Sequence, residues 1–312
     1  PCPDFKAAIA DKANRRFAYP FASCRRCGPG LSILNQASFE RRKTTMAAFP
    51  PCQSCREELA SFDSGGLFRC ETISCPTCGP QLFLLAHDGQ QIVDCDPLVA
   101  ARKALADGKI VAVRTVGGFR LAVDAFNKEA LKTLRLRKRR SPLKPFAVMA
   151  RNINVVKDYC ECPREAEVLR QSQAAPIVVL KRRRQNEFPK PLPAELIFPD
   201  GPTIGIMLPD SPLSELLFES RIDGDSVPPF EMLVMTRGDR AGEVTPITNE
   251  DAVEKLNRIA DLFLCHDREI AIRSDDSVCA IRNGAPQVWL MGRGLAPVQV
   301  KLHHKLRRPV LA

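Results

Sequence analysis

Three Cys-x-x-Cys pairs near the start of the chain limit its possible folds more than any other feature. They are Cys24 with Cys27, Cys52 with Cys55 and Cys75 with Cys78. Two cysteines two residues apart can reach one ion from a single tight turn, and zinc takes four such soft ligands in a tetrahedron. Cys2-Pro3-Asp4-Phe5 repeats the spacing with Phe in place of the second thiol. The interval from Phe5 to Cys24 nearly equals that from Cys55 to Cys75, so the region reads as a duplicated finger, one copy of which has lost a ligand.

Two pairings are open. A sequential one makes Cys52, Cys55, Cys75 and Cys78 complete and leaves Cys2, Cys24 and Cys27 one ligand short. A nested one makes Cys24, Cys27, Cys52 and Cys55 complete and leaves Cys2, Cys75 and Cys78. Cys70 is within reach of the Phe5 role but, standing outside any knuckle, reads as a buried thiol. Gly28 and Gly79, one after each of two knuckles, are expected at positive φ, turning backbone amides toward the sulfurs. Closed four-thiolate sites supply folding energy and a docking surface rather than catalysis.

Of 13 cysteines, eight lie at or before Cys78. With no charged-then-apolar leader at the start of the given sequence, metal binding in a reducing, cytoplasmic setting is expected over disulfides. The start at Pro1-Cys2 and the end at Pro309-Val310-Leu311-Ala312 suggest a piece of something longer. No apolar run is long enough for a bilayer. A net charge of +10 permits phosphate-bearing partners without naming one.

The composition changes near residue 90. Residues 1–90 hold the clustered cysteines; residues 91–300 alternate short β-branched runs with helical patterns; 301–312 form a basic linker with His303 and His304. Strands are expected at 109–113, 121–125, 146–150, 177–180 and 233–236. Helices are expected at 97–105, 127–137, 164–171 and 249–260. This gives a small zinc-knuckle domain followed by a mixed-sheet α/β domain. Residues 185–202, rich in proline, read as a loop.

Longer strings carry a resemblance. Arg15-Arg16-Phe17-Ala18-Tyr19-Pro20-Phe21, the knuckle Cys27-Gly28-Pro29, Arg41 and Thr44-Thr45-Met46 are similar to HypF-type carbamoyltransferases, the maturation enzymes of nickel–iron hydrogenases. Val116-Gly117-Gly118-Phe119, Lys144-Pro145-Phe146-Ala147-Val148-Met149, Gly205-Ile206-Met207-Leu208-Pro209, His266-Asp267-Arg268 and Arg273-Ser274-Asp275-Asp276-Ser277-Val278 resemble that family's YrdC-like domain.

The resemblance implies a twisted mixed sheet that couples carbamate, released from carbamoyl phosphate by an acylphosphatase domain, to ATP with Mg²⁺. The product is carbamoyl-adenylate, passed on through a kinase-like domain to a HypE-type acceptor. Such chemistry sets a triphosphate beside a second anion and needs fixed cations and backbone donors. Lys144 and Arg139 are the expected phosphate contacts. Arg114 is expected at the carbamate or α-phosphate, and with Lys144 and Arg273 it forms the expected catalytic set. Thr236, Arg237, Asp239, Asp276 and Ser277 complete the expected nucleotide site. Asp275 and Asp276 either hold Mg²⁺ or orient Arg273, and the Gly117-Gly118 backbone is placed to approach a ligand.

The sequence also departs from the family. Where the family has Thr-Ser-Gly-Asn, this chain has Thr236-Arg237-Gly238-Asp239, so a cation and an anion replace two small polar residues and are expected to pair. Arg120 replaces a histidine, Ser214 and Glu215 replace two more, and Leu290-Met291 replaces an arginine pair. The expectation is therefore a divergent member with weakened adenylation. Two other functions compete. One is a threonylcarbamoyl-adenylate synthase-like enzyme, for which paired zinc knuckles have no use. The other is an RNA- or partner-binding module, suggested by Lys181-Arg182-Arg183-Arg184 but poor in aromatics for stacking.

Overall fold

The computed structural model describes residues 2–199, 201–240 and 242–298; the expected linker 301–312 lies outside them. Two short helices belong to the cysteine region, α1 (Pro3–Ala10) and α2 (Gln53–Ala60). The strands are β1 (Leu82–Ala86), β2 (Gln91–Ile92), β3 (Val111–Arg114), β4 (Phe119–Asp124), β5 (Val148–Ala150), β6 (Ile177–Lys181), β7 (Thr203–Met207), β8 (Met232–Arg237), β9 (Leu262–His266), β10 (Val278–Arg282) and β11 (Ala285–Leu290). Among them run α3 (Pro97–Ala106), α4 (Lys128–Arg137), α5 (Ile153–Tyr159), α6 (Arg164–Gln171), α7 (Ala194–Ile197), α8 (Pro212–Phe218) and α9 (Asn249–Leu256).

Local chemistry explains the helix starts. The Asp96 carboxylate accepts from the Leu98 and Val99 amides, with Pro97 at the first helical position. Asn127, Asn152 and Thr248 cap α4, α5 and α9 in the same way. Helix α9 stops at Leu256 rather than at residue 260. The residues after it lead directly into β9, which is buried from Phe263 to His266.

The strands form one sheet in the order β11-β10-β6-β7-β5-β8-β4-β3-β9-β1-β2. The pairs β3/β9, β5/β7 and β6/β10 are parallel and the rest antiparallel, so the sheet is mixed, as expected. It takes β1 from before the compositional change near residue 90, because β1 pairs with β9 over Leu82–Ala86.

Both faces of the sheet are covered. On one, Ala112, Leu121, Val123, Val148 and Phe263 pack against α4, α5 and α9. On the other, Val111, Val113, Met149, Leu233 and Leu264 pack against α3, α8 and the finger residues Phe5, Ile9, Tyr19 and Phe21. Strands buried on two sides read as continuous apolar runs, which is why β3 and β8 were legible. The cysteine region is thus packed onto the sheet as part of its second covering layer.

Candidate functional site

The metal region is built from two like fingers. In the second, Cys52 is the N-cap of α2 and Cys55 is its third residue, and Cys75 and Cys78 approach from a knuckle. The sulfurs lie 3.8 Å (Cys52 to Cys75), 3.7 Å (Cys75 to Cys78) and 3.6 Å (Cys78 to Cys55) apart. A tetrahedron with zinc–sulfur bonds near 2.3 Å has edges of about 3.8 Å, so these four thiols fit zinc. The pairing is the sequential one: the nested set does not form, and Cys2, Cys24 and Cys27 cluster separately.

Second-layer contacts explain the Arg15–Phe21 string. Arg15 Nη2 lies 3.0 Å from Cys55 Sγ, and Arg16 Nη2 lies 3.7 Å from it. Both guanidiniums hold Glu58; although burial works against it, they bring its carboxyl down to about 2. Arg16 Nε also donates to the Ser74 carbonyl at 2.8 Å. These cations would offset the negative charge of a zinc held by the four thiolates, and they orient Cys55. Tyr19 Oη donates to the Pro80 carbonyl at 3.1 Å. Phe21 meets His266 of β9 edge-on at 5.1 Å, and Arg268 lies over its face at 5.3 Å, which joins finger to sheet.

The knuckle glycines differ from expectation. Neither Gly28 nor Gly79 has a positive φ. Gly79 is needed for space instead, since a Cβ there would collide with Tyr19 Oη and Ser74. Gly117 is crowded in the same way. A Cβ there would strike the Ser274 carbonyl, and Ser274 N donates to the Gly117 carbonyl at 3.0 Å. The close approach foreseen at the Gly-Gly pair is therefore to the chain's own backbone.

Charged groups gather at one end of the sheet. Arg120 on β4 sits directly across from Arg237 on β8. Arg120 Nη2 donates to Asp210 at 2.7 Å and also binds Asp276. Arg293 reaches the same two carboxylates, both at 3.2 Å. Ser214 Oγ donates to Asp210 Oδ1 at 2.7 Å. Burial alone would raise the Asp210 carboxyl; Arg120 and Arg293 reverse that and hold it far below the ordinary range. A second group adjoins the first. Arg237 pairs with Asp239 at 2.9 Å and Asp275 at 2.8 Å, and Lys138 Nζ reaches Asp239 Oδ1 at 3.0 Å. Burial lowers the Lys138 ammonium and brings the neighbouring Arg140 down to about 10.

The cations Lys138, Arg120, Arg237 and Arg293 are thus each matched to a carboxylate among Asp210, Asp239, Asp275 and Asp276. The cations of this cluster are largely neutralised from within. The departures at 120 and 214 form one unit through Asp210, and those at 237 and 239 form a second. One buried nitrogen, Arg120 Nη1, has no partner and remains a donor for an added anion. A cleft of about 630 Å³ opens beside this cluster; Asp210, Ser274 and Arg293 form one wall and the finger residues Cys24, Arg25 and Cys27 another. That is the size of a small-ligand site.

The expected site residues fall into three groups. Thr236, Arg237, Asp239, Asp276 and Ser277 come together here; Ser277 Oγ binds the Arg293 carbonyl at 3.0 Å and fixes the loop that carries it. Arg139 and Lys144 are exposed, on the turn after α4, and the buried cation of that turn is Lys138, followed by Arg140. A helix end buries only the residues on its inner face, and no periodicity within a run of four cations singles out Lys138. Arg114 is buried; its two terminal nitrogens are committed to the carbonyls of His266 (2.7 Å) and Ile247 (2.7 Å) and to Asn249 (3.0 Å), while its Nε has no partner. Arg273 is exposed and donates to the Thr245 carbonyl at 2.6 Å. Asp275 and Asp276 orient Arg237 and Arg120, not Arg273, and both are engaged by guanidiniums. They do not fit a protein-held Mg²⁺; a magnesium ion here would be carried by nucleotide phosphates. Sequence reasoning missed Asp210 and Arg293 as members of the cluster, because nothing local distinguishes them.

The first three residues of the Lys181–Arg184 run are engaged structurally. Lys181 pairs with Glu161, Arg182 lies over Phe198, and Arg183 donates to the Lys157 carbonyl. Among the described residues no helix is long and apolar enough to cross a membrane.

The family signature described as telomere recombination, covering Sua5, YciO and YrdC, matches residues 103–292, and the HypF finger signature matches residues 2–34 and 52–85. A carbamoyltransferase HypF from Rhodobacter capsulatus is 42% identical over 296 residues, 95% of this chain and 37% of that protein. A crystal structure of full-length HypF in a phosphate- and nucleotide-bound form superposes with a TM-score of 0.85 at 40% identity, covering 95% of this chain and 37% of that one. The HypF of T. kodakarensis gives a TM-score of 0.86 at 37% identity, with the same coverage. The chain therefore spans a little over a third of the length of the relatives it matches.

Proposed function

The chain belongs to the Sua5–YciO–YrdC family and is a HypF-type zinc-finger and YrdC-like region, and on that premise we propose that it forms carbamoyl-adenylate from ATP and carbamate. A carbamate oxygen attacks the α-phosphorus, and pyrophosphate leaves with its bond electrons. This chain's residues act by position and charge. Lys138 and Arg140 receive the outgoing phosphates from the β8 end. The unpartnered Arg120 Nη1 supplies a donor to the carbamate or the α-phosphoryl oxygen. Any Mg²⁺ would be held by the nucleotide phosphates, and Asp276 holds Arg120 in place.

In the whole protein, carbamate would come from carbamoyl phosphate, and a HypE-type acceptor would take the carbamoyl group. The setting is cytoplasmic, where thiols stay reduced for zinc. The observation that carries the proposal is the pairing of HypF-type fingers with a YrdC-type sheet around one cleft whose wall carries Arg293 and Asp210.

The internal pairs Arg237–Asp239 and Lys138–Asp239 imply slow turnover, since a triphosphate must displace a carboxylate to reach the cations. The test is carbamate-dependent exchange of labelled pyrophosphate into ATP, comparing the chain with its Arg237→Ser/Asp239→Asn variant. Slow exchange that accelerates in the variant is expected. Fast exchange unimproved by the double substitution contradicts the weakened reading, and exchange that requires threonine instead of carbamate contradicts the substrate.

A further inference from the structure

The first finger copies the second down to its helix positions, with one substitution. Cys52 caps α2 and Cys55 is the helix's third residue; Cys2 caps α1, where the third residue is Phe5. Phe5 is 5% exposed and packs in the core with Phe21 and Leu213. The position that closes the second site has been given over to packing against the sheet domain.

The three remaining sulfurs keep the geometry of a metal site. Cys2 and Cys24 are 3.6 Å apart, Cys24 and Cys27 3.4 Å, and Cys27 and Cys2 3.5 Å. Zinc in a planar three-sulfur triangle needs edges of about 4.0 Å, and the face of a zinc–thiolate tetrahedron needs about 3.8 Å. The observed triangle is on the compact, tetrahedral side, so an ion held by it has a fourth direction free. No other Cys, His, Asp or Glu among the described residues joins the cluster. Asp4, within the motif, is paired with Arg26 at 2.8 Å. Cys70 faces Thr72 Oγ1 at 3.4 Å and the Ser23 carbonyl at 3.8 Å. All three thiols line the 630 Å³ cleft, together with Arg25 and Arg26.

We propose that the first finger binds zinc through Cys2, Cys24 and Cys27 only and leaves the fourth coordination position open to the cleft, where it takes an exchangeable soft anionic donor of the small-thiolate class. Loading releases the three thiol protons and gives a centre of net charge −1. Arg25 beside it compensates the further negative charge of an incoming thiolate, Arg26 being already paired with Asp4. Open positions of this kind distinguish reactive zinc from closed structural zinc. The second finger, closed and backed by Arg15 and Arg16, serves as an internal reference.

The test uses the full chain loaded with Co²⁺, with a phosphine as reductant so that no thiol is present, and 2-mercaptoethanol as the probe. Two ions per chain are expected. Adding 2-mercaptoethanol should shift and intensify the visible d–d bands of one ion and leave the other unchanged, and a chelator should remove one equivalent well before the second. Phe5→Cys should abolish the thiol response while keeping two ions. Because that variant also loses core packing, the response of the unsubstituted chain stands as an independent reading. One ion per chain, or two ions both silent to thiol, overturns the proposal. A silent spectrum that becomes responsive in Cys70→Ser also overturns it, by assigning the fourth position to Cys70.

Discussion

Asp239→Asn tests the internal neutralisation of the sheet-end site directly. Asp239 is buried and accepts from Lys138 Nζ at 3.0 Å and from Arg237 at 2.9 Å. Asparagine has nearly the same shape and keeps an acceptor oxygen but no charge. Lys138 Nζ retains the Arg237 carbonyl at 2.7 Å as well as the Asp239 carbonyl. The variant should therefore fold, losing about 1–3 kcal/mol of stability with the charge-assisted bond. The freed ammonium can then bond a phosphate oxygen. A hydrogen bond to a charged group contributes about 1.5–3 kcal/mol, which corresponds to a roughly 10- to 150-fold lower Kd for ATP. Titration calorimetry with ATP and Mg²⁺ at pH 7 reads this, with urea unfolding as the check on folding. An unchanged Kd in a folded variant, or a weaker one, would refute the view that Asp239 competes with the nucleotide.

Other consequences can be measured separately. His266 is fully buried, and burial, with Arg268 and Arg114 adding to it, holds its imidazole neutral and its pKa well below the ordinary value. Below about pH 6.5 the unfolded chain takes up a proton that the folded one refuses, so stability is lost as pH falls. From pH 7.5 to 5.5 the chain should lose about 1.4 kcal/mol more than His266→Gln in urea unfolding, and equal losses would contradict this. Arg16→Ala removes the contacts to Glu58, Ser74 and the Cys55 sulfur and should weaken zinc at the second finger about 10- to 100-fold in chelator competition. An unchanged affinity would mean that the Arg15–Phe21 string serves docking alone. Phe21→Ala empties the contact with His266 and Arg268 and should cost about 3–5 kcal/mol in denaturant unfolding; a loss under 1 kcal/mol would mean that the fingers are held elsewhere.

The spacing of the thiols carried the metal centres, because ligand geometry is local: a helix cap and its third residue, or one tight knuckle, suffices. Strands β3, β4 and β8 were legible for a similar reason, as apolar runs buried on both faces, and β6 as a β-branched run buried on one face at Val178 and Leu180. Strand β11 was not, since all its residues are exposed and its apolar Val288-Trp289-Leu290 run does not alternate to mark an inner face. Strand β7 carries Gly205 at its centre and follows a proline-rich stretch, which masks its pattern. The sheet-end site was half legible. Arg237 and Asp239 were seen to be able to pair, and they do. Which cation of the run after α4 faces inward depends on tertiary packing, and so do the partners Asp210 and Arg293, which come from segments far from one another in sequence. Arg114 was expected at the ligand because it stands where the resembled family has a lysine before its Gly-Gly loop. Buried carbonyls at the end of β9 and before α9 use it first.

Hydrogen exchange of the chain with and without a non-hydrolysable ATP analogue and Mg²⁺ bears most directly on where nucleotide is seated. Slowed exchange is expected at the amides of residues 138–140, 236–240 and 274–277, where Lys138, Arg237 and Asp276 converge. Slowing confined to residues 181–184, or to the two fingers alone, would contradict the account.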